Sequence, residues 1–135
     1  MSDTPDEERL RESPRERFGS AENMFDMAEA LRKLRGEASP ERAGHKQITL
    51  DQYGPVTVVL FAFDEGGALK DHKAAGVVTI QALEGELTVR TDAQEYKLGP
   101  KMMVMLSPNV RHSLEATKTS AVLLTVCLVS SAANR

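Results

Sequence analysis

The sequence predicts an all-β domain, a sandwich or barrel of short strands entered through one amphipathic helix. Three observations carry that expectation. From residue 46 to residue 129, short β-branched and aliphatic runs alternate with clusters of Gly, Pro, Asn, Asp and Ser. Ahead of them Met24, Met27, Ala28, Leu31 and Leu34 recur at three- and four-residue steps, the period of a helix with one apolar face. A length of 135 residues with no second run of either kind fits one domain with a core of ordinary size.

Residues 1–19 mix Asp, Glu, Arg, Pro and Ser with almost no apolar content, so burial cannot offset their ordering entropy, and a flexible tail is expected. The helix is expected over 20–37. Ser20 would cap it, Glu22 and Asp26 suit its amino end, Arg32 to Arg35 its carboxyl end, and Gly36 its termination. The barrel domain is expected over 38–135, with strands at 46–50, 55–63, 68–70, 76–83, 87–91, 95–98, 102–106, 112–116 and 121–129. Turns fall between them, notably at Asp64-Glu65-Gly66-Gly67, Glu84-Gly85, Gly99-Pro100 and Ser107-Pro108-Asn109.

Several of these strands are apolar on both alternating sets, among them 56–63, 102–106 and 122–128, so something must cover the outer face. The helix can cover part of it. A second subunit is expected to cover the rest, giving a homodimer, with Met102, Met103 and Met105 in core or interface ahead of a ligand pocket.

The net charge of -3 and the scattered acidic residues give no field for nucleic acid. The amino terminus has no apolar stretch of the kind a secretion signal needs, and no segment is long and apolar enough to span a membrane, so a soluble cytoplasmic protein is expected. The lone cysteine, Cys127, lies in an apolar run and reads as a small buried hydrophobe. Covalent catalysis lacks a nucleophile in a suitable context, and Gly66-Gly67 joins two strands instead of opening a phosphate-binding helix.

His72 and His112 sit inside glycine-punctuated turns. The stretch from Gly66 through His72 to Gly85 resembles the first signature of the cupin superfamily, which runs glycine, five residues, His-x-His, a glutamate, then glycine. Gly66, His72 and Gly85 match; the family's second histidine falls on Ala74 and its glutamate on Val78. The stretch from Gly99 to Ala116 resembles the second signature at Gly99 and His112, with Ser107, Asn109 and Ala116 where the family has proline, glycine and asparagine. Asn109 tolerates the left-handed backbone expected at such a turn. The resemblance covers residues 46–129, and it also extends to small stand-alone cupins of unassigned function that carry a helix before the barrel. It implies a jelly-roll barrel, the cupin double-stranded β-helix, with one pocket in which His72 and His112 converge.

Two imidazoles alone would hold a divalent ion such as iron, zinc, manganese or nickel only weakly, because catalytic sites of these metals use three protein ligands or a facial triad. Gln81, a polar side chain in an apolar strand, and His45 on the first strand are the candidates for a third donor; Glu115 alternates away from His112. The first reading is therefore a barrel binding a small organic ligand among Met, Val and Leu walls, with His72, Gln81 and His112 as polar contacts. Lys70 and Lys73 flank His72 and could attract an anion, but charged residues around a turn are usually just solvated. A metal-dependent oxygenase or isomerase using His72 and His112 is the alternative. A regulatory or structural partner protein, engaging another chain through the tail and helix, is the third.

Overall fold

The computed structural model describes residues 18, 20–38 and 44–129; the expected tail over 1–19 lies outside them apart from Phe18. Helix α1 (Met27–Gly36) starts two turns later than expected. Its cap is Asp26, whose carboxylate accepts from the Glu29 N–H at 3.1 Å, and not Ser20. The physical reason is the absence of a partner surface: Met24 is 93% exposed, so the apolar repeat there gains nothing from helical alignment.

Nine strands follow: β1 (His45–Tyr53), β2 (Val56–Phe63), β3 (Ala68–His72), β4 (Gly76–Glu84), β5 (Leu87–Thr91), β6 (Glu95–Leu98), β7 (Met103–Leu106), β8 (His112–Ala116) and β9 (Ser120–Leu128). They form a five-stranded sheet in the order β1-β2-β9-β4-β7 and a four-stranded sheet in the order β3-β8-β5-β6, antiparallel at every pairing. The inner faces pack together. Phe61, Phe63, Ile80 and Val122 of the first sheet meet Leu87, Val89, Leu98 and Leu114 of the second in one apolar cluster.

A second cluster lies on the other side of the larger sheet, where Leu31 and Leu34 of α1 cover Leu50, Leu60, Ala62 and Ala121. That is why β2 and β9 are apolar on both faces. The helix end is fastened as well as packed: Lys46 Nζ donates to the Arg35 and Glu37 carbonyls at 3.1 and 2.7 Å, and Arg35 pairs with Glu84 at 3.2 Å.

Beyond the helix the outer face is open. Met103 and Met105 alternate outward on β7 and are 56% and 66% exposed, so they do not wall the interior as a Met-lined pocket would require. Cys127 also belongs to the outward set; it is half-buried and not a core residue, because strand alternation puts it on the face opposite Val126, which packs on the core. Among the described residues no helix is long and apolar enough to cross a membrane.

Gly85, which closes the β4 to β5 turn, has φ +84, and a Cβ there would stand 2.3 Å from the Thr119 carbonyl oxygen. Gly85→Ala should therefore lower unfolding free energy by about 2 kcal/mol. Urea denaturation checks this; a cost below about 0.5 kcal/mol would show that the turn can relax.

Candidate ligand cavity

β3 and β8 pair so that His72 lies opposite His112, although Leu69 lies opposite Leu114. Three steps on β3 thus match two on β8. The extra residue forms a bulge in which Asp71 takes φ +50. Without it Asp71 would stand across from His112 on the inner face; with it Asp71 turns outward, and Leu69 and His72 both look into the barrel.

The chain after His72 is tied to the turn before His112. Asn109 adopts φ +67, the left-handed backbone expected of it, and its N–H donates to the Ala74 carbonyl at 2.8 Å. His112 is buried, and its Nδ1–H donates to the Val110 carbonyl at 3.0 Å. A carbonyl only accepts, so the neutral ring carries its lone pair on Nε2. The two rings are 6.5 Å apart between centroids and tilted by 36°, with His72 at the exposed rim.

Between them lies a cavity of about 210 Å³. His72, Ala74, Val78 and His112 all line it, so the four positions at which the resemblance places metal ligands do converge. Phe61, Leu124 and Val126 complete its apolar wall, and Lys73 stands at its rim. Gln81 is not brought to it. On β4 Gly76, Val78, Ile80 and Ala82 form the buried set facing the interior, and Gln81 alternates to the outer face between Met103 and Leu123. Gln81 pairs in regular register with Met103 and Leu123, and the irregularity on β4 falls past it, between Ala82 and Glu84.

The polar side chain that does reach the cavity from the larger sheet is Gln47 of β1. His45 stands behind it, 5% exposed and within 5.5 Å of the Phe61 and Phe63 rings, with Nε2 at 3.0 Å from Gln47 Oε1. Its Nδ1 has no hydrogen-bond partner among the described residues. His45 does not itself line the cavity, so it adds no third donor beside His72 and His112.

On the opposite side of the smaller sheet Arg90 donates to Glu95 at 2.7 Å and to Glu115 at 3.1 Å. The hydrogen bond to Glu95, then that to Glu115, raises the Arg90 guanidinium above its ordinary value. Glu115 is thereby occupied outside the barrel, as its alternation with His112 implies.

No protein-family model and no curated protein matches the sequence. Solved structures do match the backbone. A cupin superfamily protein from Desulfitobacterium hafniense superposes with a TM-score of 0.63 at 20% identity, over 71% of this chain and 88% of that one. An RmlC-like cupin from Shewanella frigidimarina gives 0.62 at 20% identity, over 72% and 90%. The chain has the cupin fold. A protein of unknown function from Rhizobium leguminosarum superposes with a TM-score of 0.64 at 22% identity, over 82% of this chain and all (100%) of that one.

A cupin barrel suggests a metal, and the donor set speaks against one here. Among the described residues no group of three or more His, Cys, Asp or Glu side chains is placed to hold an ion. Ala74 and Val78 offer hydrocarbon where two ligands would be needed.

Proposed function

We propose that this cupin is a binding module that holds a small organic ligand in its cavity without a full metal site, using His72 and His112 as polar contacts. One observation carries the reading: of four converging positions, two hold imidazoles and two hold Ala74 and Val78. Such a surface suits a ligand with an apolar body and one polar end, whereas two neutral imidazoles leave a divalent ion short of donors. Gln47, not Gln81, is the amide side chain that lines the cavity.

The proposal includes a homodimer. The outer face of β4, β7 and β9 presents Met103, Met105, Val77 and Cys127 beyond the margin of α1, and β7 has a strand partner on one side only among the described residues.

Native mass measurement of protein purified without added metal tests both parts. The expected result is a two-subunit mass with well under one equivalent of metal. Stoichiometric iron, zinc, manganese or nickel that is lost in His72→Ala or His112→Ala would overturn the reading in favour of a metalloenzyme.

A further inference from the structure

We infer that the ligand is a neutral molecule with a one-ring apolar body and a hydroxyl group, whose O–H donates to His112 Nε2. This deepens the proposed binding function and rests on it.

His112 is 4% exposed, and the Val110 carbonyl takes up its Nδ1–H at 3.0 Å, which leaves the lone pair of the neutral ring on Nε2. No described residue donates to that atom. Among the described residues His45 Nδ1 is the one buried side-chain nitrogen or oxygen that lacks both a partner and an opening, so Nε2 of His112 borders open space. The space that His112 lines is the cavity.

An acceptor in apolar surroundings that meets no donor forfeits its hydrogen bond, so an occupant that displaces water from Nε2 must bring a donor of its own. A hydroxyl does this; an ether or a hydrocarbon does not. A carboxylate would set its negative charge against the same lone pair, and Lys73, the one lysine or arginine among the described lining residues, is exposed at the rim. A divalent ion would accept the lone pair, but Ala74 and Val78 withhold the further donors it needs.

Gln47 brings a neutral amide, and its Oε1 already accepts from His45 Nε2–H at 3.0 Å. His72 stands at the exposed rim, where water can replace a ligand contact, so discrimination falls to His112. Phe61, Leu69, Val78, Leu124 and Val126 wall the body of the ligand. An apolar cavity of about 150 Å³ takes one benzene ring, so about 210 Å³ takes a ring with its hydroxyl and little more.

Isothermal titration calorimetry on the full chain, dialysed against a chelator and held at about pH 8, where free imidazole and phenol are both uncharged, tests this with phenol, anisole and benzoate. Anisole keeps the ring and the oxygen but lacks the donor; benzoate carries the negative charge. Phenol should bind at least about tenfold more tightly than either. In nitrogen NMR spectra of the isotopically labelled protein, the His112 ring should carry its proton on Nδ1, and its Nε2 resonance should move with phenol and not with anisole. His112→Phe should erase the preference for phenol over anisole; the spectra of the parent chain serve even where that variant fails to fold.

A smaller preference over either probe, a His112 ring with its proton on Nε2, or an Nε2 resonance that ignores bound phenol would overturn the hydroxyl assignment and leave an organic ligand site standing. Phenol binding only after zinc is added, or failure of all three probes to bind at millimolar concentration, would overturn the metal-free ligand cavity itself.

Discussion

The double substitution Ala74→His with Val78→Glu is expected to convert the cavity into a stoichiometric metal site. Both positions line the same space as His72 and His112, so the variant would present three nitrogens and a carboxylate to one point. Without metal it should be weakened by about 3 kcal/mol, because Val78 is 3% exposed and a carboxylate there lacks a counterion. With free metal at about a thousand times its Kd, binding restricted to the folded state returns about 4 kcal/mol. Elemental analysis should find close to one equivalent of zinc or nickel, and the melting temperature should rise on metal addition in the variant but not in the parent. A folded variant that takes up no metal would show that the four positions do not share a centre.

The helix is the second place where a large effect is expected. Leu34 is 1% exposed and packs against the outer face of a sheet, with Leu60 and Ala121 in its cluster. A sheet held by ladders on both sides of β2 cannot close over a vacated site, so Leu34→Ala should cost about 3 kcal/mol, inside the usual range for such truncations. The urea midpoint should fall with little change in slope. Ligand binding in the cavity should not move, because Leu34 and the cavity occupy opposite faces of the same sheet. A loss below about 1 kcal/mol would mean that α1 is a detachable cover and not part of the fold.

Strands whose ends carry turn residues on both sides were fully legible in the sequence: β5, β6 and β8 have the bounds expected of them. β1 is expected only over 46–50; the chain reverses at Gly54-Pro55, and the strand runs on to Tyr53 past an irregularity between Thr49 and Asp51. The two histidines of the site were visible because each stands at a fixed distance from a turn glycine or its substitute, and turn geometry is a local property.

Gln81 was misplaced for a different reason. A polar side chain in an apolar strand suggests an interior role only when the outer face is polar, and here α1 and the open methionine face make that face apolar too. Parity with Val78 was the signal that separates them, since an odd number of steps on a strand changes face. Gln47 was missed by the same inversion. In β1 the polar set of His45, Gln47 and Thr49 faces the barrel and the apolar set of Ile48 and Leu50 faces the helix, the reverse of a strand with one wet side.

The bulge at Asp71 bears on how this cavity tolerates variation in chain length. Excising Asp71 would leave His72 two steps from Leu69, the ordinary spacing for neighbours on one face, and the ladder with β8 would become regular without displacing the ring. Deletion of that single residue is thus silent toward the interior. What reaches the cavity there is decided by the pairing of His72 with His112, so β3 can lose that residue while keeping the same chemistry.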